Sequence, residues 1–333
     1  MAVSIRDIAL QAGVSTSTVS KVLNGSRETI RPQTQERVRR IASKMGYQPN
    51  RLAQGIARRR TGTIGLMISG LQNPFFVSLL ETAEALLLDS GSQILLDAAP
   101  SIAGSYAEHS RLNGWPVDGV LMWAFAEQSL EMYLGTQARD TPVVYLGSPR
   151  DDGSDWVAFD HYGGGRLAAE YLVGRGYRRI AYLGAHGSGS LRGPRYQALA
   201  DVCWEAGLRV ETFELEDPAE TCQAGMIGGL RLAALPADRR PEAVVCVNDV
   251  LALGVYHGLR RAGLHVPDDV AVIGFDGIME GQCEDIPLTT VSTSPKALCQ
   301  EALGILTQRM AGDHAGAPRQ ITIPVELLHG GTA

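Results

Sequence analysis

The 333-residue sequence predicts a two-part protein: an N-terminal all-α head with helix-turn-helix spacing, then an α/β body of two Rossmann-like lobes. Three observations carry this. Residues 1–60 hold twelve Lys/Arg against three Asp/Glu, whereas the remaining residues hold 18 against 33. Within the head, apolar residues recur at helical spacing in three short segments. From Thr63 onward, short apolar runs alternate with amphipathic helical patterns. A basic head on an acidic body implies that the head meets a polyanion and the body does not.

The first helix starts at Ser4, whose hydroxyl can accept a free backbone N–H, with Asp7 supplying negative charge to the first turn. Ile5, Ile8, Ala9 and Ala12 form its inner face, and Gly13 breaks it. Ser15 caps a second helix with Val19, Val22 and Leu23 inside, ended by Asn24-Gly25. A third runs from about Thr34 to Met45, with Val38, Ile41, Ala42 and Met45 on one face and Gly46 closing it. A Gly-containing turn of about four residues between the first two helices is helix-turn-helix spacing. The outer face of the second helix carries Thr16, Ser17, Ser20 and Lys21, small or basic groups suited to base edges and phosphates in a major groove. A merely solvated polar face would look similar from this segment alone.

Other classes are excluded on composition. No run of about 18 apolar residues exists, so no membrane-spanning helix is expected, and Arg6 and Asp7 stand where a secretory signal needs its apolar stretch. The five cysteines are widely spaced without a CxxC pair, which argues against a disulfide framework or a zinc cluster. No metal or cofactor is expected, and the cytoplasm is the expected compartment.

In the body, the runs Ile64–Ile68, Gln93–Asp97, Gly119–Met122, Val143–Leu146, Ile180–Gly184, Ala243–Val247 and Val270–Phe275 read as strands of parallel sheets covered on both faces. Thr63-Ile64-Gly65-Leu66 and Arg179-Ile180-Ala181-Tyr182 look like equivalent first strands of two similar lobes. Ligands of such lobes bind outside the carboxyl ends of the strands. Asn248 and Asp276 each end a strand run, where a donor–acceptor amide and an acceptor carboxylate would suit vicinal hydroxyls; turn capping is the competing role for both.

The blocks SIRDIALQAGVSTSTVSKVLNG and MGYQPNRLAQGIARRRTGTIGLMI, in order and at matching spacing, resemble the start of the lactose-repressor (LacI/GalR) family of bacterial transcription regulators. Further similar blocks extend to about Leu328, including Asn73-Pro74-Phe75-Phe76, Phe159-Asp160, Val247-Asn248-Asp249 and Gly274-Phe275-Asp276. The resemblance implies a periplasmic-binding-protein-like body and a head that reads operator DNA. It divides the chain into a DNA-binding domain at 1–48, a hinge at 49–61 and an effector-binding and dimerisation domain at 62–333. Within the body it implies a first lobe of about 62–160 and 292–323 and a second of 161–291 and 324–333.

The same resemblance assigns residues. Thr16, Ser17 and Lys21 would read bases, while Ser4, Ser15, Ser20 and Asn24 would contact mainly phosphates. The hinge would fold on the operator, with Ile56 at the wedge position usually held by Leu and Ala53 at a second minor-groove contact; Gly55 weakens a helix there by roughly 1 kcal/mol relative to Ala. Effector contacts would come from Phe75, Phe76, Asp160, Asn248, Asp276 and an arginine after the Ile180–Gly184 strand, for which Arg192 and Arg195 compete. One of the two phenylalanines could serve only in packing. The chain departs from the family pattern at His161, where Asn is usual, at Cys299, near a usual Gly, and near Glu220, where some sugar-binding members have an aromatic.

The expected function is a transcriptional regulator, chiefly a repressor, acting as a homodimer on a pseudo-palindromic operator. A small molecule between the lobes, a sugar or sugar derivative being favoured, would modulate it; induction is the favoured direction, and the sequence leaves corepression open. The rival is a nucleotide-dependent α/β enzyme using Gly187-Ser188-Gly189-Ser190-Leu191-Arg192-Gly193 as a dinucleotide loop. Its glycine spacing is one residue too long, and the strand-end acid is missing. A secreted sugar-binding protein would share the body but leave residues 1–60 unexplained.

Overall fold

The computed structural model describes residues 3–23, 30–47, 60–68, 70–98, 117–123, 141–185, 193–215, 220–313 and 316–333. The chain separates into two compact units, Met1–Thr63 and Ile64–Ala333.

In the head, α1 (Ile5–Ala12) begins with a reciprocal capping box: the Asp7 N–H donates to Ser4 Oγ, and the Ser4 N–H donates to Asp7 Oδ2 at 2.9 Å. Gly13 ends it at φ 62°, a left-handed conformation that costs glycine little. Ser15 Oγ accepts the Thr18 N–H at 3.1 Å and starts α2 (Thr16–Leu23). Helix α3 (Pro32–Lys44) starts two residues before the sequence expectation, because Pro32 suits the first helical turn. Ile8, Ala9, Ala12, Val19, Val22, Val38 and Ala42 form the buried centre of the three helices. Ile5, Leu23, Ile41 and Met45 pack around it partly exposed.

The body holds two six-stranded sheets. The strands are β1 (Thr63–Ile68), β2 (Gln93–Ala98), β3 (Gly119–Trp123), β4 (Val143–Gly147), β5 (Trp156–Phe159), β6 (Ile180–Ala185), β7 (Val210–Leu215), β8 (Ala243–Cys246), β9 (Ala271–Asp276), β10 (Thr289–Ser292), β11 (Gln320–Ile323) and β12 (Glu326–Leu328). Their orders are β11-β5-β4-β3-β1-β2 and β12-β10-β9-β8-β6-β7. Neighbouring strands run parallel where their register is defined, except that β12 runs antiparallel to β10. Every strand run expected from sequence lies within or beside one of these strands.

Among the described residues of the body, the helices are α4 (Pro74–Leu87), α5 (His161–Gly174), α6 (Pro194–Glu205), α7 (Cys222–Ala233), α8 (Asp249–Arg261), the short α9 (Met279–Gln282) and α10 (Pro295–Met310). The chain passes between the sheets three times: from β5 into α5, from β10 into α10, and from β11 into β12. Helix α10 packs on β3, β4, β5 and β11, so it belongs with the first sheet although it follows a strand of the second. Three crossings allow the lobes to turn about their connections while each keeps its own sheet.

Helices α7 and α8 lie against each other through glycine: Gly225 and Gly229 meet Gly254 and Gly258. A Cβ at any of the four would run into the other helix's backbone. Among the described residues, no helix is long and apolar enough to cross a membrane.

Candidate functional site

Two regions gather the expected residues. In the head, Ser4, Ser15, Thr16 and Ser17 are exposed, while Ser20 and Lys21 are half-buried, with Val19 and Val22 on the buried side of α2. The short helix therefore presents its polar face outward, while its valines hold it against α1 and α3. Asn24, Ala53 and Ile56 lie outside the described residues, as do Arg192 and most of the Gly187–Gly193 segment.

The second region lies at the carboxyl ends of the strands, between the lobes. Pro74 at the helix start and Asn73, whose side chain accepts the Phe75 N–H, set the first turn of α4. That turn buries Phe75 and Phe76 edge-on against Trp123 at the end of β3, with ring centroids 5.3 and 5.2 Å away. Phe75 also meets Phe159 at 6.0 Å. Both phenylalanines thus belong to one aromatic cluster, and Trp123 is a member that sequence reasoning missed.

In the second lobe, Arg195 is the second residue of α6. Its Nε–H donates to His161 Nδ1 at 3.2 Å and its NH1 to the Val247 carbonyl, while its guanidinium lies 3.7 Å over the Phe275 ring. NH2 stands 3.7 Å from Asp276 Oδ1. Asp276 Oδ2 accepts a 3.0 Å hydrogen bond from Asn73 Nδ2 across the cleft. Arg195, Asp276 and Asn73 therefore converge, and the lobes touch through polar side chains there.

Asp276 sits at φ 119°, unusual for a residue with a side chain. A neighbouring carboxylate explains how the turn is held. Asp249 Oδ2 accepts the Gly277 and Ile278 N–H groups at 2.7 and 2.8 Å, and Oδ1 accepts the Thr290 hydroxyl at 2.5 Å. Asp249 is fully buried, and Gly274 leaves room for its carboxylate where a Cβ would strike it. The spacing of Val247-Asn248-Asp249 and Gly274-Phe275-Asp276 is thus a spatial pairing, which the sequence showed only as two separate motifs. Burial pushes the Asp276 carboxyl up to about 7, opposed by the Arg195 charge, and the Asp249 carboxyl up to about 6, opposed by its three donors.

Asn248 and Asp160 both cap helices. Asn248 Oδ1 accepts the Leu251 N–H at 2.8 Å, while its Nδ2 donates to Glu220 at 3.3 Å. Asp160 Oδ1 accepts the Gly163 N–H at 2.7 Å. For Asn248 the structure thus shows the capping role, with its amide nitrogen engaged by Glu220. Deeper, Tyr182 of β6 is buried against Tyr196, and its hydroxyl has no hydrogen-bond partner among the described residues. Among the described residues, no group of three His, Cys, Asp or Glu side chains could hold a metal ion.

The chain's likeness to known proteins spans both regions. The profile of bacterial regulatory proteins of the lacI family matches residues 4–50, and that of the periplasmic binding protein-like domain matches 169–333. The HTH-type transcriptional repressor PurR of Vibrio cholerae is 32% identical over 310 residues, covering 92% of this chain and 91% of the relative. PurR of Actinobacillus pleuropneumoniae is 31% identical over 333 residues, covering 98% and 96%. Among solved structures, a lac repressor dimer bound to operator and the anti-inducer ONPF shares the fold, with a TM-score of 0.85 at 24% identity and coverage of 100% and 99%. A cellobiose complex of the transcriptional regulator CelR has a TM-score of 0.69 at 28% identity, covering 99% and 100%. The curated relatives are repressors, so the nucleotide-dependent enzyme is set aside. A helix-turn-helix head and a two-lobed body, in one chain and matched along nearly its whole length, make this protein a DNA-binding transcriptional repressor of the lacI family.

Proposed function

We propose that this repressor responds to a small polyhydroxylated molecule, a sugar or sugar derivative, bound between the lobes of its body. The observation that carries the reading is the convergence of Arg195 and Asp276 with Asn73 beside an aromatic cluster. A carboxylate and a guanidinium together can engage vicinal hydroxyls, and an aromatic face suits the C–H side of a sugar ring. Asn248 adds an amide next to Glu220. Described regulators of this fold carry cellobiose and, in the case of a LacI family regulator from Enterococcus faecium, ribose.

The repressor acts in the cytoplasm as a homodimer on a pseudo-palindromic operator, each head placing α2 in a major groove. Thr16, Ser17 and Lys21 read bases; Ser4, Ser15, Ser20 and Asn24 anchor phosphates; Ala53 and Ile56 of a hinge over 49–61 enter the minor groove. Effector binding favours one lobe arrangement over another, and this difference in affinity changes how well both heads engage DNA together. Release from the operator is the favoured direction.

A thermal-shift panel of sugars, sugar acids and nucleobases tests the ligand class, followed by operator binding with each hit. A neutral sugar should raise Tm in the wild type and not in Asp276→Ala. A nucleobase hit, or a sugar shift that survives the substitution, contradicts the carbohydrate reading.

A further inference from the structure

We infer that the His161 imidazole is a positioning residue that ties the Arg195 guanidinium to the first lobe. This rests on the reading of the cleft as the effector site, since its consequence is for what Arg195 can hold.

His161 is the first residue of α5, where the chain has just left β5 of the first sheet. Its Nε2 lies 2.7 Å from the Gly147 carbonyl at the end of β4, and its Nδ1 accepts the Arg195 Nε–H at 3.2 Å. A carbonyl only accepts and a guanidinium only donates, so both bonds form together only in the neutral ring with its proton on Nε2. Burial and the Arg195 charge hold the imidazole at about 3, well below its ordinary range, which keeps that neutral form at physiological pH. The ring sits between Phe159 of the first lobe and Phe275 of the second, with centroids 6.2 and 5.9 Å away.

The contacts form an arc that begins and ends in the first lobe. It runs from Gly147 through His161 to Arg195, past Asp276, and back to Asn73. With Nε held by His161, NH1 by Val247 and the plane set on Phe275, the guanidinium cannot turn about its own axis. Its NH2 is thereby delivered beside Asp276. A side chain anchored to Gly147 makes that delivery depend on the position of the first lobe.

Two variants of the full chain separate this role from packing. Gln can reproduce the imidazole's donor and acceptor without the ring; Phe keeps the ring and loses both hydrogen bonds. The first readout is the arginine Nε–H signal of Arg195 in 15N NMR, assigned by its loss in Arg195→Lys. It should stay slow to exchange in His161→Gln and lose protection in His161→Phe. The second is affinity for whichever of D-glucose, D-ribose and cellobiose shifts the wild type. It should fall about tenfold or more in His161→Phe and less than threefold in His161→Gln. The double variant His161→Phe/Arg195→Ala should bind no more weakly than Arg195→Ala alone, as expected for residues acting as one unit. A Phe variant like wild type beside an impaired Gln variant, or additive losses in the double variant, overturns the positioning role. Should none of the three sugars bind the wild type, the carbohydrate reading fails, and the Arg195 Nε–H signal still decides the role of His161.

Discussion

Asp276 and His161 respond to pH with opposite signs at the same place in the cleft. Asp276 is raised from 3.8 to about 7, so the folded body holds that proton more tightly than the unfolded chain. Its contribution to stability is full below about pH 4 and is lost as pH rises through 7. His161 is lowered from 6.5 to about 3, so its contribution is full above 6.5 and is lost as pH falls below that value. Asp276→Asn removes the first component only. Urea midpoints measured from pH 5 to 8 should therefore rise more steeply with pH in Asp276→Asn than in the wild type; parallel profiles would contradict the assignment. Tyr182 gives a second residue-scale expectation. Its buried hydroxyl has no partner among the described residues, so Tyr182→Phe should stabilise the body by about 1 kcal/mol, read as a Tm increase of about 2–4 °C. Arg195 was named only through the family resemblance, in competition with Arg192, whereas Asn248 and Asp276 were legible as candidates because polar residues end apolar strand runs there. Asp249 and Trp123 were not, because their partners lie 28 or more residues away and no local pattern marks the pairing.

The seven expected runs fall on β1 to β4, β6, β8 and β9, whereas the interior strands β5 and β10, only four residues each, carried too short an apolar run to be read. Strands β7, β11 and β12 stand at sheet edges, and β7 is interrupted by Glu211 and Glu214, so neither a continuous apolar run nor a core pattern announces it. The attachment of β11 depends on a buried ion pair equally silent in sequence. Arg309 of α10 makes two bonds to Asp155, at 2.7 and 2.8 Å, and donates to the carbonyls of Asp313, Gly316 and Ala317. Asp155 also accepts the Arg319 N–H at 2.8 Å, just ahead of β11. Arg309→Met leaves a buried carboxylate and three carbonyls to be satisfied otherwise, and should destabilise the body by about 3–5 kcal/mol in chemical denaturation. A loss below about 1 kcal/mol would show that the pair is dispensable. The glycine contact of α7 with α8 has a comparable test: Gly254→Ala should destabilise by about 1–3 kcal/mol, because backbone rather than a mobile side chain stands in the way.

At the scale of the whole molecule, the charge split seen first in the sequence separates two tasks. Among its described residues the basic head has seven buried apolar residues at its centre, yet it folds as three helices, the first two with side-chain N-caps and a polar outer face. The acidic body spends its apolar residues on two sheets and reserves a few polar ones for the seam between them. Head–DNA contacts should give affinity that falls steeply with salt, about −0.9 in the log–log slope for each phosphate contacted. Ile56→Ala should weaken operator binding far more than random DNA binding, because wedging depends on a particular base step. The measurement that bears most directly on the account is affinity for an operator selected from random duplex DNA, with and without the sugar identified by thermal shift. A pseudo-palindromic site is expected, with at least a tenfold change in affinity on adding the sugar and loss of that change in Asp276→Ala. Equal affinity with and without the sugar, or selection that yields no common sequence, would contradict it.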